Sequence, residues 1–151
     1  MKLLAKDRLH AARNNFSNLP DALQKPTADA LLDYIDNNSK ENVQDVWRSL
    51  IEAYGNDKPL TLYRGLHFDN QQECDDFVCD VQDNGYLDSQ ISSWSTDPKV
   101  ARKYCDKTSY GCIVILDVLE LNTCVDFRKA KCNKEKEVLL PPGCYDAKIY
   151  E

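Results

Sequence analysis

The chain has 151 residues, enough for one domain with a real core. Its 42% hydrophobic and 29% charged residues are the balance of a globular protein, which excludes a disordered chain. No apolar run approaches the roughly 20 residues a bilayer crossing needs, and a net charge of −6 opposes non-specific binding to nucleic acid, where phosphate neutralisation dominates affinity.

In chain order, the first 55 residues read as helical. Met1-Lys2-Leu3-Leu4-Ala5-Lys6-Asp7 breaks into charge too early for a signal peptide, so a cytoplasmic chain is expected unless another route exports it. Leu3, Leu4, Leu9 and Ala12 fall on one stripe that Pro20 closes, and Thr27 to Ile35 has helical spacing of its apolar positions. Ser39 is placed to cap a third helix carrying Val43, Val46, Trp47, Leu50, Ile51 and Tyr54, which Gly55 ends.

From Pro59 the character changes. Leu60-Thr61-Leu62-Tyr63 alternates like a strand. Gln71 to Val81 reads as a helix with Phe77 and Val78 inward, ended by the Asn84-Gly85 turn. Tyr86 to Ser95 reads as extended, and Asp97 caps a short helix with Pro98 at its first position, where a missing N–H costs nothing. Cys112 to Leu116 reads as a buried strand, followed by shorter strands at Cys124–Phe127 and Glu137–Leu140. Tyr145 to Tyr150 alternates as one half-buried strand should. Helices first and strands after give an α+β class in a single domain over 1–151, with a helical part at 1–57 and a strand-rich part at 58–151.

The seven cysteines form no C-x-x-C pair, and neither His10 nor His67 has a metal-binding spacing, so no metal site is expected. The thiols read as reduced side chains filling small apolar gaps. Arg128, Lys129, Lys131, Lys134 and Lys136 crowd into one stretch, either a solvated loop or a basic lip (128–136) that recruits an acidic target.

Three segments carry chemistry. Glu135 and Glu137 precede an apolar run that stops at Pro141-Pro142-Gly143; on a strand they would project to one face. Leu62-Tyr63-Arg64-Gly65 ends an apolar stretch with a guanidinium, whose fork of donors grips phosphate better than an ammonium does. Ser92-Ser93-Trp94-Ser95-Thr96-Asp97-Pro98 supplies hydroxyls, with Ser93 and Ser95 on one face of a strand and Trp94 on the other.

Arg, then Ser-x-Ser, then Glu-x-Glu, over about residues 60 to 150, resembles the mono-ADP-ribosyltransferases of the Arg-Ser-Glu class, which include bacterial toxins and phage enzymes that modify their host. The resemblance implies a strand-rich core of two packed, mostly antiparallel sheets, with NAD as substrate and no metal. By resemblance Glu137 is the catalytic glutamate, Glu135 the acceptor-side carboxylate, and Ser93 orients Glu137 and the nicotinamide side of NAD. Arg64, Gly65, Ser95 and Tyr63 fall to cofactor binding. Aligning on Asp97-Pro98 and Val100-Ala101 sets the motif serines at Ser93 and Ser95; the rival register makes Ser95 the first. Trp94 departs from the Thr common in the family, and the plainer reading of Thr96 is a helix-cap hydroxyl. Aromatics that could stack on nicotinamide include Tyr63, Tyr104 and Phe127, each with a core role as the plainer reading.

Glu135 suits an arginine acceptor on a protein, because a carboxylate pairs with guanidinium and accepts its proton. Water as acceptor (a glycohydrolase), nucleic acid reached through 128–136, and a non-enzymatic α+β binding module remain as alternatives. The histidine-type branch requires a His where Arg64 stands. No membrane partner is expected.

Overall fold

The computed structural model describes residues 40–129 and 136–150, with Ala30 and Asp33. The expected helices over 3–20 and 27–35, and the cap at Ser39, otherwise lie outside the described residues. Within residues 40–129 the first helices are α1 (Lys40–Asp45) and α2 (Trp47–Tyr54). The sequence reads them as one, but Val46, at φ −109° and ψ 17°, breaks the run. Past the break the stripe behaves as its spacing requires: Leu50 and Tyr54 are buried, with Val46, Trp47 and Ile51 packed alongside. Gly55 closes α2 by donating its N–H to Ile51 O at 2.7 Å.

The strand-rich part contains β1 (Leu60–Phe68), β2 (Tyr86–Asp88), β3 (Ser92–Ser95), β4 (Tyr110–Val118), β5 (Val125–Asp126), β6 (Glu137–Leu140), β7 (Gly143–Tyr145) and β8 (Lys148–Tyr150). Helix α3 (Gln71–Asn84) follows β1, α4 (Pro98–Cys105) follows β3, and a 3₁₀ turn (Phe127–Lys129) follows β5. Six strands form one sheet in the order β5-β6-β3-β1-β4-β8, and β2 pairs β7 in a separate ribbon. Every pairing is antiparallel. The α+β class is thus observed, with its two antiparallel sheets unequal in size.

Strand β1 runs beside β4 along its whole length, from Leu60↔Val118 to Phe68↔Tyr110. It meets β3 at the single pair Tyr63↔Ser95. From that pair β3 continues with β6 instead, through Ser95↔Glu137 to Ser92↔Leu140. Two half-sheets therefore join at one point, and Arg64 is the next residue along β1.

Alternation divides the core between two faces. Leu62, Trp94, Val114, Leu116, Val138 and Leu140 form one face, covered by Val81 of α3, Tyr86 of β2 and, partly buried, Tyr145 of β7. On the opposite face Leu139 and Val125 pack with Leu50 and Tyr54 of α2. Farther along that face, Ala101 and Cys105 of α4 meet Ile113, Tyr63 and Tyr150. In α3 the buried residues are Cys74 and Val81, while Phe77 and Val78 are only half-buried. Asn70 caps α3 by accepting from Glu73 N at 2.9 Å, and Gly85 ends it at φ 81°.

The segment Tyr145–Tyr150 is not one strand. Ala147 N donates to Tyr145 O at 2.8 Å, and that turn sends β7 to the ribbon and β8 to the edge of the large sheet. Asn56, fully buried, ties this half to α2: its Nδ2 donates to Glu120 O at 2.9 Å and its Oδ1 accepts from Thr123 N at 3.0 Å. Cys74, Cys105, Cys112 and Cys124 are buried, as apolar gap-fillers should be, whereas Cys79 and Cys144 are exposed. No helix among the described residues is long and apolar enough to cross a membrane.

Candidate active site

Three side chains far apart in sequence meet where the half-sheets diverge. Arg64 Nη1 donates to the backbone oxygen of Ser93 at 2.6 Å. The hydroxyl of Ser93 in turn donates to Glu137 Oε2. Sheet register makes this possible: Ser93 pairs with Leu139, so Glu137 is its diagonal neighbour on the same face. Ser93 and Glu137 are both half-buried, within reach of solvent and of a ligand.

Arg64 is more constrained than a surface arginine. Its side chain is half-buried, and its Nε is buried with no hydrogen-bond partner. Among the described residues no carboxylate lies within ion-pair distance of it. A guanidinium so placed retains donors for an anion. Tyr86 flanks it, donating its hydroxyl to Asp88 Oδ2 at 3.0 Å. Burial, opposed by the Arg64 charge and reinforced by Asp88, pushes the Tyr86 hydroxyl up to about 12. Nothing in the sequence pattern singles out Tyr86 or Asp88, because only the β2–β7 ribbon brings them to Arg64.

Ser95 sits directly opposite Glu137 in the ladder, is 4% exposed, and accepts from Asp97 N at 3.0 Å. Ser93 is the serine whose hydroxyl bonds the carboxylate. Trp94 points into the core at 2% exposure, its Nε1 held by Ser92 Oγ at 2.8 Å, so its bulk stays off the face bearing Ser93. Asp97 caps α4 by accepting from Lys99 N at 2.9 Å, with Pro98 in the first turn, as the sequence predicts. That N–H bond holds the Asp97 carboxyl below its ordinary value, with Lys136 and Lys99 adding to the effect.

Gly65 has a packing reason to be glycine. A Cβ there would overlap the Ala101 carbonyl oxygen, so β1 and α4 touch backbone to backbone; Gly111 meets Cys105 O in the same way. Tyr63 lies edge-on to Tyr150, with centroids 5.1 Å apart, against α4. Phe127 is buried, edge-on to Tyr54 at 5.7 Å. The Tyr104 ring lies under Lys107 Nζ at 4.6 Å.

Strand β6 begins at Glu137, and Lys136 before it has φ 50°. Glu135, expected on the same face as Glu137, lies outside the described residues. Two cations of the basic stretch face carboxylates. Arg128 grips buried Asp126 with Nε and Nη2 at 2.9 and 2.7 Å, which raises the Arg128 pKa, and Lys136 Nζ lies 3.4 Å from Asp97 Oδ2. Among the described residues no group of three His, Cys, Asp or Glu side chains is arranged to hold a metal.

No protein-family model matches the chain, and no curated protein matches it in sequence. Two solved structures are similar to it. One is the ADP-ribosyltransferase Vis in complex with the M6 inhibitor, at 14% identity and a TM-score of 0.42, covering 95% of this chain and 77% of that one. The other is the Vis toxin, an ADP-ribosyltransferase from Vibrio splendidus, at 14% identity and a TM-score of 0.40 over the same shares. At such distances the site stands or falls on its own residues.

Proposed function

We propose that this protein transfers ADP-ribose from NAD to a macromolecular acceptor, with protein arginine as the acceptor group, releasing nicotinamide. The observation that carries the reading is the linkage Arg64–Ser93–Glu137, made by residues 29 and 44 positions apart. It joins the three motifs that resemble the Arg-Ser-Glu class at the point where β1 leaves β3.

The chemistry asks for these groups. Nicotinamide leaves from NAD already cationic, so its departure needs no general acid, unlike ordinary glycoside hydrolysis. The glycosidic C1′–N bond breaks with its electron pair going to nicotinamide, and positive charge grows on the ribose. Glu137 meets that charge and accepts from the ribose 2′-hydroxyl, a contribution that increases toward the transition state. Ser93 holds the carboxylate in its rotamer. Arg64, with donors to spare, takes the diphosphate. A guanidinium nitrogen of the acceptor then bonds C1′, and Glu135 receives its proton.

Ser95 supports the turn beneath the site, and Gly65 and Tyr63 shape the β1 side of it. We assign the activity to 58–151, in a cytoplasmic setting that keeps the thiols reduced and supplies NAD, as befits a toxin or phage effector acting inside a cell. The ion pairs of Arg128 and Lys136 count against nucleic acid as acceptor, since they spend charge a phosphate backbone would need.

Labelled NAD added to the protein in a mixed lysate tests this directly. Label should pass to protein, resist nuclease, and map to arginine by mass spectrometry, and Glu137→Gln should abolish it. Nicotinamide release far in excess of labelling would favour water as the acceptor instead. Label lost to nuclease would move the acceptor to nucleic acid.

A further inference from the structure

The residue before Glu137 is held by a set of contacts that neither its charge nor its place in the motif requires. Lys136 adopts φ 50°, a left-handed conformation disfavoured for a residue with a Cβ. Its carbonyl accepts from Thr96 N at 3.3 Å, and its Nζ reaches Asp97 Oδ2 at 3.4 Å. Asp97 is itself fixed, because Oδ1 caps α4 through Lys99 N and its own N–H donates to Ser95 Oγ at 3.0 Å. Ser95 faces Glu137 across the ladder.

From these contacts we infer that Asp97 and Lys136 form a clamp that positions Glu137 against Ser93. The need is physical. Glu137 is the first residue of a four-residue strand, so no ladder residue precedes it, and strand ends fray unless tied down. The clamp anchors that end to the rigid start of α4. It also turns the Lys136 ammonium toward Asp97 and so keeps it from neutralising Glu137. Local strain of this kind persists only where surrounding contacts over-determine it.

The inference rests on the proposed function only for its effect on rate; the clamp itself is testable without turnover. Lys136→Met removes the charge and keeps the backbone preference, Asp97→Asn keeps a good helix cap without the ion pair, and Lys136→Arg retains both charges. Amide hydrogen exchange over 136–140 should rise in the first two variants, stay at the wild-type level in the third, and be unchanged in β4 in all three. Nicotinamide release from NAD, with agmatine as the arginine probe, should show kcat lowered about threefold in the first two, the scale of an exposed ion pair. KM for NAD should hold, and Lys136→Arg should match wild type. Unchanged exchange in both Lys136→Met and Asp97→Asn would overturn the clamp, as would raised exchange with undiminished kcat. A wild-type protein that releases no nicotinamide would strike the functional reading instead, and exchange would still decide the clamp.

Discussion

Ser93 works through two atoms at once, and the consequences of losing them differ. Its carbonyl oxygen seats Arg64 and survives any substitution, while its hydroxyl holds Glu137. Ser93→Ala should therefore leave the guanidinium in place and free the carboxylate, lowering kcat about tenfold with stability within about 1.5 kcal/mol of wild type. Arg64→Lys should act in the opposite sense. An ammonium cannot reproduce the planar fork, so KM for NAD should rise about tenfold while kcat changes less. Steady-state kinetics on the two variants separates the roles; equal effects on both constants would count against the division. At this scale the three motif positions were legible because each residue type has a chemical reason to be there. The Lys136–Asp97 bridge was not, since its formation depends on one left-handed residue that no composition rule marks.

Among the elements, α4 is the one on which the site leans. It lies so close to β1 that Gly65 has no room for a Cβ, with the Ala101 carbonyl in the way. Gly65→Ala should push the helix outward and cost about 1–3 kcal/mol in denaturant unfolding, the usual range for overpacking. A neutral result would mean that α4 shifts freely. The cap of the same helix gives a pH test. Asp97 has a lowered pKa, chiefly from the Lys99 N–H, so its stabilisation is present above the ordinary value of 3.8 and disappears as pH falls through the lower folded value. The stability difference between wild type and Asp97→Asn should accordingly stay constant well above 3.8, shrink as pH falls from there toward the lower folded value, and level off below it. The α4 cap, with Asp97 followed by Pro98, was readable in advance because capping is local chemistry. The split of Tyr145–Tyr150 into β7 and β8 was not: both halves alternate, and only their separate partners, β2 and β4, decide that the chain must turn at Asp146-Ala147. The break at Val46 escaped for the same reason, as apolar spacing is continuous across it.

For the whole molecule, the ribbon and the large sheet share one core through Tyr86 and Tyr145. Burial pushes both hydroxyls up to about 12 from an ordinary 10.0, with Asp88 adding to the shift in each. Their folded pKa values are raised, so the stability they contribute is present below pH 10 and is lost as pH climbs toward 12. Alkaline unfolding in that window should coincide with tyrosine ionisation followed by ultraviolet absorbance; ionisation well before unfolding would mean the ribbon opens on its own. The α+β architecture was legible from the change of pattern near Pro59. The junction of two half-sheets at Tyr63↔Ser95 was not, because register between strands distant in sequence is set by packing alone.

In the proposed function, one carboxylate in this junction drives the cleavage of NAD. The most direct measurement is the initial rate of nicotinamide release by wild type and by Glu137→Gln, taken on proteins whose melting temperatures agree. A fall on the order of a hundredfold or more, with NAD still raising the melting temperature of the variant, is the predicted result. Release at an undiminished rate by the folded variant would rule out that role for Glu137.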